Sequence, residues 1–174
     1  MMRSARIFAA LTALTVLAPV PATAEFLAPD WSTLSIEGVS PPDWFAGVRE
    51  GNYIGMCTGC DGTMLLEVRV VPDDGTGDRI RSGETTAQTY TEIGEANASQ
   101  MGGEAAYYGT KEIAFASAVG FVTQARTATG DFAVSYQLWS DGQQLIVRVY
   151  GKDQAAVEEI AARAYEQAAP LTFR

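Results

Sequence analysis

A chain of 174 residues that has no histidine and sets 21 acidic side chains against 12 basic ones, for a formal charge of −9, is shut out of much of enzyme chemistry. The missing imidazole removes the commonest general base, the usual zinc and copper nitrogen ligand, axial haem histidine and every Ser-His or Cys-His nucleophile pair. The charge speaks against nucleic acid as a partner, because phosphate neutralisation needs clustered cations and this chain has only the lysines Lys111 and Lys152 and scattered arginines.

Arg3 and Arg6 precede an apolar run over 7–17, and Ala22-Thr23-Ala24 supplies the small residues that a signal peptidase reads. Residues 1–24 are therefore expected to be a signal peptide and residues 25–174 a single α+β domain. The remaining chain, about 150 residues, has the size at which one domain buries roughly two-thirds of its unfolded surface. The apolar run falls short of the ~20 residues of a membrane span, and nothing later approaches that length. Glu25 stands where a lipoprotein would need cysteine. The expected destination is the bacterial periplasm, with no membrane anchor after cleavage. For a eukaryotic secreted protein, the alternative, Asn97-Ala98-Ser99 would be a nominal glycosylation site, but it falls inside a predicted helix.

The phrase Pro-Asp-Trp occurs twice, at Pro29-Asp30-Trp31 and Pro42-Asp43-Trp44, around the apolar alternation of Leu34, Ile36 and Val39. It reads as an N-terminal strand between two turns, each tucking a tryptophan against the core, with a surface aromatic binding site as the alternative. Strands over 53–56 and 64–71 flank the cysteine pair as a hairpin, with Leu66, Val68 and Val70 on one face and Glu67 and Arg69 on the other. The stretch 72–78 reads as a loop. Thr85 and Gln88 have capping-box spacing, and Tyr90, Ile93, Asn97 and Met101 follow at helical intervals, so a helix is predicted over 86–100, weakened by Gly94.

Strands are then predicted over 105–108, 112–116 and 119–126. Phe132, Val134, Tyr136 and Leu138 share the face of the next one, and Asp141-Gly142 turns it tightly into Leu145, Val147 and Val149. Asp153 is placed to cap a last helix with the inner stripe Val157, Ile160, Ala161, Ala164 and Ala168, and Pro170 is expected just past its end. The fold class that follows is α+β: an antiparallel meander with one mid-chain helix and one C-terminal helix packed on it.

Cys57-Thr58-Gly59-Cys60 holds the only two cysteines, and in an oxidising compartment a disulfide is their default state. The leading reading is a structural bridge across the hairpin turn. A thiol-disulfide exchange centre is the second, although the residues after Cys60 read as a strand and Asp61 adds negative charge where a reactive thiolate wants a helix N-terminus. A third is Cu(I) held by Cys57 and Cys60 with help from Met56 or Met64. Half a zinc knuckle is the last, and it would need ligands from a second subunit.

Other candidates have plainer explanations. Asp73, Asp74 and Asp78 could offer oxygens to Ca²⁺ but lack EF-hand spacing. Gly75-Thr76-Gly77 begins like a dinucleotide fingerprint without its third glycine or a helix behind it. Glu158-Glu159 reads as the outward, solubilising side of the last helix. Lys111 could serve a nucleophile such as Ser117, or guard an edge strand.

In its order of elements, with the Pro-x-Trp turn at Pro42-Asp43-Trp44 and a C-terminal helix after the last long strand, the chain resembles the small α+β domains of the Mog1/PsbP/DcrB type. No catalytic residues define that group, so the resemblance implies an accessory or binding role. The functional expectation is an exported, non-catalytic binding or accessory protein of the bacterial envelope, needing no cofactor and serving an unknown envelope protein or a small ligand. The alternative is a periplasmic thiol-redox or Cu(I)-binding protein that uses Cys57 and Cys60.

Overall fold

The alternating segments of the sequence close into one sheet. The computed structural model describes residues 29–34, 44–60 and 62–173. The expected signal peptide and the expected strand through Ile36 and Val39 lie outside those residues. Among the described residues the strands are β1 (Trp44–Arg49), β2 (Asn52–Cys57), β3 (Met64–Pro72), β4 (Ala106–Phe115), β5 (Ala118–Arg126), β6 (Phe132–Ser140) and β7 (Gln143–Gly151). All pair antiparallel in the order β1-β2-β3-β7-β6-β5-β4, so two meanders meet where β3 pairs with β7. Helices α1 (Thr76–Arg81) and α2 (Ala87–Met101) lie between the meanders in sequence, and α3 (Gln154–Thr172) closes the chain.

Strand alternation divides the sheet into two faces. On one, Leu66, Val68, Val134, Leu138, Leu145, Val147 and Val149 are buried under the α3 stripe of Val157, Ile160, Ala161, Ala164 and Ala168, as the spacing predicts. The three alanines leave room for the helix to approach, and each buried Val or Leu beneath it contributes roughly 1.5–3 kcal/mol. On the opposite face Tyr90 of α2 packs against Phe121 at 4.8 Å and Trp139 at 6.5 Å between ring centroids. Trp31 is buried in a short 3₁₀ turn, its indole N–H donating to the Gly51 carbonyl at 2.9 Å, while Asp30 accepts from the Ser32 N–H at 3.0 Å. Trp139 is buried too and Trp44 half-buried, which leaves no pair of exposed tryptophans to form an aromatic binding face. The predicted hairpin turn is borne out: Asp141 and Gly142 have φ of 51° and 74°, the two positive values of a type I′ turn.

Several boundaries differ from the expectation, each for a local reason. The acidic stretch 72–78 is not all loop, because α1 starts at Thr76. The Asp73 carboxylate accepts from the Gly75 N–H at 2.9 Å and Asp74 accepts from the Thr76 N–H at 3.0 Å, satisfying backbone donors that open the helix. Thr86, not Thr85, caps α2, accepting from the Thr89 N–H at 3.2 Å. The inward side of α2 runs through Ala87, Tyr90, Thr91, Gly94 and Ala98, so Ile93 and Met101 face outward, 54% and 65% exposed. Small residues choose that side because Gly94 rests on the Tyr107 ring, where a β-carbon would clash. The segments 105–108 and 112–116 are one strand, β4, with a register shift between Tyr107 and Gly109. Pro170 lies inside α3, in its last turn, where it removes one helical bond before Phe173 closes the end by donating its N–H to Ala169 O at 2.8 Å.

Candidate functional site

The two cysteine sulfurs of the chain belong to Cys57 and Cys60. Cys57 ends β2 opposite Met64 of β3, and the bridge to Cys60 is formed, with Cα atoms 5.7 Å apart. The Cys60 N–H lies 3.0 Å from Cys57 Sγ. Cys57 is fully buried and Cys60 half-buried against the core. An exchange partner that attacked Cys60 would expel Cys57 as a thiolate into apolar surroundings, which disfavour the charge. Strand alternation turns Met56 to the opposite face, where it is 40% exposed, so Cys57, Cys60 and Met56 are not brought together. Met64 does share the Cys57 side, and it is buried there.

The remaining sequence candidates disperse. Asp73 and Asp74 spend their oxygens on the opening of α1, and Asp78 pairs with Arg81 at 3.2 Å. Gly75-Thr76-Gly77 does open onto a helix, contrary to expectation, but that helix is only α1. Ser117 meets the Ser140 hydroxyl at 3.0 Å in a turn, and no hydrogen bond joins it to Lys111 among the described residues. No group of three or more Cys, Asp or Glu among the described residues is arranged to hold a metal ion.

A different place on the sheet is built like a site. Helix α3 packs chiefly on β7, β6 and β3, and toward β4 and β5 the same face is less covered, with Lys111 exposed and Ile113, Val122 and Gln124 only partly buried. The space between α3 and these strands is a cleft of about 460 Å³. Its floor comes from cross-strand rungs, Gly109–Gln124–Val134 and Lys111–Val122–Tyr136, with Ile113 on the next. Its helical wall is Glu158 and Ala162, one turn apart on α3. The register shift in β4 inserts Tyr108 at the rim, 53% exposed and stacked on Phe132 at 6.4 Å between centroids. Bulges re-aim side chains in this way, and Gly109, with φ of 126°, provides the backbone conformation that this one requires.

The polar groups of the cleft are unevenly satisfied. Glu158 Oε1 accepts from Gln124 Nε2 at 3.2 Å and from Gln154 Nε2 at 2.8 Å, which ties the sheet to the helix. This corrects the reading of Glu158 as an outward residue; Glu159 is the exposed one, paired with Arg163 at 3.1 Å. Tyr136 stacks on Tyr165 of α3 at 4.6 Å. Burial, then the Glu166 and Glu158 carboxylates, raises the Tyr136 phenol above its ordinary value of 10.0, so it remains a neutral donor at physiological pH. Lys111 is exposed at the edge and makes no ion pair or side-chain hydrogen bond among the described residues. A second hollow of about 390 Å³ on the other face is more open and has Glu112 as its single charged lining residue.

The cleft thus joins an apolar floor, aromatic ends, a carboxylate held by amides and a cation, Lys111, that has no partner among the described residues. Among the described residues that line it, no hydrogen bond joins a hydroxyl to the Glu158 carboxylate or to Lys111. Sequence reasoning missed the cleft, although one signal was present: Gln124 occupies a core-facing position of its strand, where a covered floor would carry an apolar residue. No protein-family model matches the chain, and no curated protein matches it in sequence.

Proposed function

We propose that this chain is an exported, non-catalytic binding protein of the bacterial envelope that holds a small amphipathic molecule in the cleft between α3 and β4–β6. The observation that carries the reading is the cleft itself: a concavity in the size range of small-molecule sites, apolar at its floor and bearing a few fixed polar groups. The Cys57–Cys60 bridge is then a brace for the β2–β3 turn, consistent with its burial on the core side. No helix among the described residues is long and apolar enough to cross a membrane. The leader-like start of the sequence supports export to the periplasm, and the resemblance to the Mog1/PsbP/DcrB type supports an accessory or binding role.

The test uses protein purified from the periplasm and the uncharged fluorophore N-phenyl-1-naphthylamine. Saturable binding that is abolished by Ala162→Phe, with the unfolding midpoint retained, supports the reading. Binding untouched by that cleft-filling change removes the cleft from consideration.

A further inference from the structure

We propose that the ligand of this cleft is an amphiphile with an apolar body and a single anionic head group, and that Lys111 receives the head. The inference rests on the cleft being the binding site and adds the ligand's charge. Two observations carry it. First, the charges lining the cleft are not equivalent: the Glu158 carboxylate already has two amide donors, whereas Lys111 has no partner among the described residues. Second, strand register aims Lys111 at the cleft. It stands opposite Val122, itself opposite Tyr136, and side chains at facing positions share a face.

A lysine that only guarded an edge strand would give the cleft no ligand preference. Here Lys111 stands on the middle rung of the floor, between Gly109 and Ile113, on the edge strand β4, and its side chain is exposed. An apolar body lying along Ile113, Val122 and Val134 would pass beside Lys111, which would receive a head group turned toward the sheet edge. The net charge of −9 makes the idea discriminating, because the protein as a whole repels anions and any preference for one must be local.

The experiment compares two probes that differ by one group, N-phenyl-1-naphthylamine and 8-anilinonaphthalene-1-sulfonate, by calorimetry on the native protein. The sulfonate should bind roughly fivefold tighter at low salt, as suits one exposed ion pair, and lose the advantage as salt rises. Lys111→Gln should equalise the probes and Lys111→Arg should preserve the preference. If both probes bind equally and Lys111→Gln changes nothing, the anionic ligand is wrong while the cleft survives. A sulfonate preference that persists in Lys111→Gln overturns the role of Lys111. Failure of both probes to bind overturns the cleft and this inference together.

Discussion

Gln124 of β5 and Glu158 of α3 are joined by a 3.2 Å hydrogen bond that crosses from sheet to helix at the margin of the cleft. The second donor on the same oxygen, Gln154, comes from the first turn of α3, so Glu158 is held from the sheet and from its own helix. A partly buried hydrogen bond to a charged acceptor contributes about 1.5–3 kcal/mol, less where water reaches it. Gln124→Ala should therefore destabilise the domain by about 1 kcal/mol in urea denaturation with an unchanged slope, and weaken probe binding a few-fold. An unaltered midpoint would mean that the helix wall is held by packing alone.

Gly94→Ala sets two effects of opposite sign against each other. Replacing a helix-interior glycine gains up to about 1 kcal/mol in helix propensity. The new β-carbon would run into the Tyr107 ring, which is anchored because its hydroxyl bonds Thr110 Oγ1 at 2.7 Å. Overpacking costs typically 1–3 kcal/mol, so a net loss is expected, read as a lower urea midpoint. A rise in the midpoint would show that α2 slides freely on β4.

Asp131 links the β5–β6 turn to Lys152, just before α3, through a 2.9 Å ion pair, and accepts from Thr129 Oγ1 at 2.8 Å. The hydrogen bond from Lys152, then that from Thr129, lowers its carboxyl below the ordinary 3.8. A depressed folded value means that the stabilisation is present above the unfolded value near 3.9 and is lost as pH falls through the folded one. Asp131→Asn should cost less than about 1 kcal/mol at neutral pH, and its deficit against the parent should shrink below about pH 4. A deficit of equal size across that range would assign the effect to packing.

For the bridge, a four-residue loop limits the chain-entropy gain to about 2 kcal/mol. The Cys57→Ala/Cys60→Ala variant should lose about that much or slightly more, since Cys57 is fully buried, while still binding N-phenyl-1-naphthylamine. In the parent, alkylation should require strong reduction. Thiols that open under mild reductant, or that retain Cu(I), would return function to Cys57 and Cys60.

Much of this fold was legible because its elements obey one period each. The α3 stripe through Val157, Ile160 and Ala164 and the β6–β7 hairpin at Asp141-Gly142 follow from spacing and turn chemistry. Helix α1 was hidden because its acidic start looks like a solvated loop until Asp73 and Asp74 are seen folding back onto backbone N–H groups. For α2, hydrophobicity points to Ile93 as an inner residue, whereas close approach to Tyr107 selects Gly94. The cleft arises from which strands α3 covers least, a tertiary property that no local pattern encodes. The disulfide, by contrast, follows from the spacing of Cys57 and Cys60, the two cysteines of the chain.

The most direct measurement is a methyl-detected NMR titration of the native protein with N-phenyl-1-naphthylamine. Saturable shifts confined to Ile113, Val122, Val134 and Ala162 are the predicted result. Shifts that gather instead around Met64 beside the cysteine pair, or none at saturating probe, would contradict the placement of the binding site between α3 and β4–β6.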